Sequence, residues 1–76
     1  MKELTYPEEL SEEELYSSIK PVLNRRGYRD RNGSGEALYD SGEATVEVAD
    51  DVLEITGPSG SEEEVIATLL EPELQD

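Results

Sequence analysis

Residues 43–57 read Glu-Ala-Thr-Val-Glu-Val-Ala-Asp-Asp-Val-Leu-Glu-Ile-Thr-Gly, alternating apolar and polar side chains on both sides of Asp50-Asp51. A period of two flanking a polar pair predicts a β-hairpin. With 49–52 as the connection, Val48 faces Leu53 and Val46 faces Ile55. One side of the ribbon is then apolar, and Glu43, Thr45, Glu47, Glu54 and Thr56 take the other. The same register sets Glu47 directly across from Glu54, where like charges cost about a few tenths of a kcal/mol. A chain selected only for stability would avoid that pair, so the carboxylates point to a binding role.

Outward from the hairpin, Gly57-Pro58-Ser59-Gly60 reads as a loop, and Ser61-Glu62-Glu63-Glu64 has the form of a capping box. A helix is predicted over Glu62 to Glu71, with Val65, Ile66, Leu69 and Leu70 as its apolar face and Pro72 as its stop. Toward the N-terminus, Asp40-Ser41-Gly42 is a turn signal before a short first strand, Glu36 to Tyr39. A two- or four-residue turn puts Ala37 and Tyr39 on the core face of that strand, and a three-residue turn puts Leu38 there. Tyr28 to Arg31 offers a further short edge segment. Ser11-Glu12-Glu13-Glu14 is a second capping box, opening a helix over Glu12 to Arg26 on Leu15, Ile19, Val22 and Leu23. Pro21 deletes the amide that would bond to Ser17, predicting a kink or a restart there, and Gly27 supplies the stop. Residues 1–10 read as a lead-in and 73–76 as a frayed tail. The expected fold class is α+β: a two-layer α-β-β-β-α domain, a small antiparallel sheet with two helices on one face, spanning 1–76 as a single acidic unit.

Seventy-six residues hold one core, which removes only roughly 60% of the unfolded surface from water, so stability is expected to be marginal. The chain has no Cys and no His, which leaves out disulfides, zinc-thiolate sites and the usual general base. No apolar run approaches a membrane span, and a soluble protein in the cytoplasm, or the host cell cytoplasm if phage-encoded, is the expected setting. The net charge is -14, and all six basic residues lie in the first 31; positions 32–76 carry 13 acidic side chains and no Lys or Arg. Such one-signed surface repels itself and calls for a basic partner, a bound cation or a high-salt medium. Direct nucleic-acid and membrane partners are excluded for that half.

Arg25, Arg26, Arg29 and Arg31 cluster around the first helix end, where they complement the helix dipole and are read as internal counter-charge for the carboxylates. Asp30-Arg31-Asn32-Gly33-Ser34-Gly35 matches the opening of a calcium loop, with oxygen donors at Asp30, Asn32 and Ser34. Position 12 of such a loop, however, is Ser41, so a glycine-rich turn is the stronger reading. No pattern marks a nucleophile, a metal site or a cofactor, and no enzyme is expected.

The remaining signal is the acidic surface. Glu43, Glu47, Asp50, Asp51 and Glu54 project from the ribbon, with Glu62, Glu63 and Glu64 at a helix start, and carboxylates in such rows can stand in for phosphates. They are the expected partner-binding residues, attracted to a Lys- and Arg-lined nucleic-acid groove on another protein. Length, acidity, absence of Cys and the helix, three-strand, helix order resemble small phage-encoded anti-defence proteins, notably anti-CRISPR inhibitors of the nucleic-acid-mimic kind. The resemblance implies occupation of a DNA or guide-RNA site on a CRISPR effector or other host defence protein. Two further readings stand beside it: a salt-adapted housekeeping domain, and an adaptor that covers a basic partner without imitating nucleic acid. An exposed sheet edge also leaves a homodimer open.

Overall fold

In the computed structural model, which describes residues 1–31 and 38–74, the elements follow the order β1 (Lys2–Thr5), α1 (Glu12–Asn24), β2 (Arg29–Asp30), β3 (Leu38–Asp40), β4 (Thr45–Val48), β5 (Val52–Thr56) and α2 (Gly60–Leu70), with a 3₁₀ turn at Glu71–Leu74. The five strands form one sheet in the order β1-β5-β4-β3-β2, every neighbouring pair antiparallel.

The central hairpin has the register its alternation predicts. Val46 pairs with Ile55, Glu47 with Glu54 and Val48 with Leu53, and the Ala49 amide donates to the Val52 carbonyl at 2.9 Å across Asp50-Asp51. The preceding turn has two central residues, Gly42 and Glu43, with Gly42 at φ +94°, the position where a tight hairpin turn wants glycine. Tyr39 therefore pairs with Val46 and is fully buried, as the two-residue alternative requires. Residues 36 and 37 of the expected first strand lie outside the described residues.

Both helices cover one face. Leu15, Ile19 and Leu23 from α1 join Ile66, Ala67 and Leu70 from α2 in one cluster with Tyr39, Val46, Val48, Leu53 and Ile55. Ser11 and Glu14 form the expected capping box at α1. The helix runs through Pro21 without a break, because the missing amide leaves only the carbonyl of Ser17 to be satisfied, at a solvent-exposed position. It closes with Gly27 at φ +86°, where the Gly27 amide bonds to the Asn24 carbonyl and the Tyr28 amide to the Leu23 carbonyl. This is the paired closure that needs glycine in the left-handed region.

Four expectations are corrected. Residues 1–10 are not only a lead-in: Lys2–Thr5 adds an edge strand to β5, which with Arg29–Asp30, the edge segment expected within Tyr28 to Arg31, gives the sheet five strands. The second helix is capped by Ser59, whose hydroxyl accepts from the Glu62 amide, and not by Ser61. That earlier start rotates the helix so that Glu63, Ile66, Ala67 and Leu70 face inward, while Val65 stands 48% exposed. Finally, Leu74 packs into the core, so the tail is anchored at least that far.

Candidate functional site: the open face of the sheet

In an antiparallel sheet, residues directly opposite one another share a face, so the side away from the helices can be read row by row. One row runs Glu3, Glu54, Glu47 and Leu38 across β1, β5, β4 and β3. The Arg31 amide donates to the Leu38 carbonyl at 2.8 Å, continuing the ladder and setting Arg31 at the end of that row. The neighbouring row is Thr56, Thr45, Asp40 and Arg29. Strands lie about 4.8 Å apart, so the three glutamates span roughly 10 Å. That is about one negative charge per 5 Å, against one per ~3.4 Å along a single strand of duplex DNA. The row is thus within a factor of two of a nucleic-acid backbone in charge density.

Like charges at Glu3–Glu54 and at Glu54–Glu47 disfavour the sheet twice over. Among the described residues no cation is paired with this row: Lys2 reaches Glu64 at 3.1 Å on the helix side, and Arg31 pairs with Asp40 at 3.5 Å. Among the described residues Arg25, Arg26 and Arg29 form no ion pair within 4 Å, and Arg31 is the arginine that does. The face is therefore polar in order, negative over β1, β5 and β4 and positive along β2.

The eight expected partner-binding residues do not form one patch. Glu47 and Glu54 are together on the open face. Asp50 and Asp51 form the exposed tip of the hairpin at one end of the sheet, close to Glu12 at the start of α1, whose carboxyl is raised above the usual carboxylate range by its hydrogen bond to Asp50. Glu43 occupies the β3–β4 turn at the other end, where it shares a recess with Glu62 and Arg26. Glu64 is held by Lys2. Glu63 turns inward: one carboxylate oxygen accepts from the Gly57 amide at 2.9 Å and the other lies 3.3 Å from the Met1 amino group. The Gly57 hydrogen bond, followed by the nearby amino group, lowers its pKa below the usual carboxylate range.

Glu3 is the member that sequence reasoning missed. Its only signal is the short alternation Lys2-Glu3-Leu4-Thr5, and its neighbour in the row, Glu54, is 51 residues away.

Two other polar groups are structural. Tyr39 stacks on Tyr16 with ring centroids 4.4 Å apart and donates to the Tyr16 carbonyl at 2.8 Å, while the Tyr16 hydroxyl donates to Asp30. Burial is the first cause raising all four tyrosines, Tyr39 to about 12, so each stays a neutral phenol at ordinary pH. No group of three or more acidic side chains among the described residues is arranged to hold a metal ion. Beyond Asp30, the calcium-loop donors Asn32 and Ser34 lie outside the described residues.

Among the described residues no helix is long and apolar enough to cross a membrane. No family model, curated protein or solved structure matches the chain.

Proposed function

We propose that the protein is a non-enzymatic inhibitor that lays the Glu3, Glu54 and Glu47 row of its open face into a basic, nucleic-acid-binding groove of another cytoplasmic protein. The observation that supports this reading is the row itself: three carboxylates held side by side at a cost in stability, without a paired cation. Binding would exchange the partner's counterions for fixed carboxylates, as nucleic acid does, and would weaken steeply with salt. Asp50 and Asp51, at the tip of the hairpin, extend the negative surface to one side of the row. Glu63 is occupied by its own chain and has no part in it. A CRISPR effector or another phage-defence protein of the host is the partner class that this mode of action serves.

The test is affinity capture from such a host at about 0.15 M salt, where screening beyond ~8 Å leaves only close charge contacts. The wild-type protein should retain a nucleic-acid-binding protein that Glu47→Lys/Glu54→Lys does not, and added DNA or RNA should elute it. Retention by both proteins, or elution by salt but not by nucleic acid, contradicts the proposal.

A second reading, a salt-adapted domain, is favoured by the acidic side chains exposed at both ends of the sheet as well as on its face. It predicts unfolding in low salt and refolding in molar salt by circular dichroism. An inhibitor of the proposed kind stays folded at ordinary ionic strength.

A further inference from the structure

Among the described residues β1 lies at the edge of the sheet with β5 as its strand neighbour, and each second residue of such a strand turns its backbone N–H and C=O away from the sheet. A shallow groove follows that edge. Its lining is Glu3, Leu4 and Thr5 from β1 and Glu71 and Leu74 from the 3₁₀ turn after α2. Three consecutive strand residues point to alternating faces, so a concavity touching all three lies along the edge and not on either face. The floor is apolar, from Leu4 and Leu74, and the two sides each carry an exposed carboxylate, Glu3 and Glu71.

We propose that this groove receives an extended, basic segment of the partner protein, which adds to β1 as a sixth strand. The proposal rests on the reading of a basic protein partner and specifies how part of it is held. Main-chain hydrogen bonds to β1 would supply affinity, and alternate side chains would supply selectivity. Basic residues on one side of the incoming strand would meet Glu3, those on the other would meet Glu71, and an apolar residue would cover Leu4 and Leu74. A second copy of this chain is disfavoured as occupant, because each brings the same carboxylates and a charge of -14 to the contact.

The probe is a capped peptide, Lys-Lys-Val-Val-Lys-Lys, which as a strand carries Lys and Val on both sides, with a control of equal charge in which both Val are replaced by Pro. Both are titrated against the full chain and followed by amide NMR at about 0.15 M salt. The expected result is saturable perturbation of Glu3, Leu4, Thr5, Glu71 and Leu74 by the first peptide, a several-fold loss of affinity with the proline control, and a several-fold loss with Glu71→Lys. Glu47→Lys/Glu54→Lys should leave the Leu4 and Leu74 perturbations in place. Equal binding of the two peptides, or no perturbation at the groove, overturns the proposal. Perturbation confined to Glu47 and Glu54 overturns it while supporting the open-face reading. A concentration-dependent dimer of the free protein that Glu71→Lys alters also overturns it, in favour of a second copy.

Discussion

The two faces of the sheet are made from the same strands and do opposite things. On the helix side, Val46, Leu53 and Ile55 are completely buried, and their burial is worth roughly 1.5–3 kcal/mol each. On the other side, Glu3, Glu54 and Glu47 occupy the alternate positions and oppose folding by about 0.2–1 kcal/mol per like-charged pair. The sum still favours the folded state because apolar burial exceeds surface repulsion several-fold. The period of two thus separates the work: one set of residues holds the domain together, and the other is free to be selected for a contact.

Substitutions at neighbouring positions should therefore move stability in opposite directions. The largest expected effect is Leu53→Ala, which opens a cavity in the cluster and should cost about 2–5 kcal/mol, enough to unfold much of so small a domain. Urea denaturation measures it, and a cost below 1 kcal/mol would mean that the core is not where the fold puts it. Next to it in sequence, Glu54→Lys converts two like-charged pairs into two opposite ones and should stabilise by about 0.5–2 kcal/mol, less at high salt. A loss of stability in that variant would break the contrast between the faces.

Helix capping gives a smaller effect and tests the corrected start of α2. Ser59→Ala should cost about 1 kcal/mol and Ser61→Ala nearly nothing; the reverse order would restore the expected Ser61 cap.

A pH series sharpens the comparison at the acidic end. The Glu63 carboxyl has its pKa lowered in the fold, so its contribution is present above the usual carboxylate range and is lost as pH falls through the lowered value. Glu12 is shifted the other way, by Asp50: its contribution is present below the usual range and lost as pH rises through the raised value. Acidification from neutrality should first firm the fold as Glu12 takes up a proton, and then weaken it as Glu63 does. In thermal scans from pH 7 downward, Glu12→Gln should flatten the first phase and Glu63→Gln the second. A monotonic fall unaffected by Glu12→Gln would contradict the raised Glu12 carboxyl.

How much of this was readable from the residues alone differs from element to element for physical reasons. The hairpin was legible because nine side chains in near-alternation and a polar turn leave one register that buries Val46, Val48, Leu53 and Ile55 at once. The edge strand β1 was not. Lys2-Glu3-Leu4-Thr5 carries a single apolar residue, and its pairing with β5 is a long-range choice that local periodicity does not encode. The phase of α2 was ambiguous because Ser59 and Ser61 both suit a cap and the run Glu62-Glu63-Glu64 offers no contrast between positions. Ile66, Ala67 and Leu70 settle it, and they carry Glu63 inward, three and four residues before the first two of them. For the site, Glu47 and Glu54 were found together, whereas Glu43 and Asp50-Asp51 belong to turns at opposite ends of a four-residue strand, separated by roughly 13 Å or more.

The central claim is that the open-face glutamates compete with nucleic acid for a basic groove. Its most direct measurement is the displacement of fluorescently labelled DNA or RNA from a captured partner at about 0.15 M salt, comparing wild type with Glu47→Lys/Glu54→Lys. The account predicts stoichiometric displacement by the wild type, weakening as salt is raised, and none by the double variant. A partner that keeps its nucleic acid while bound to the wild type, or is emptied equally well by the variant, would contradict it.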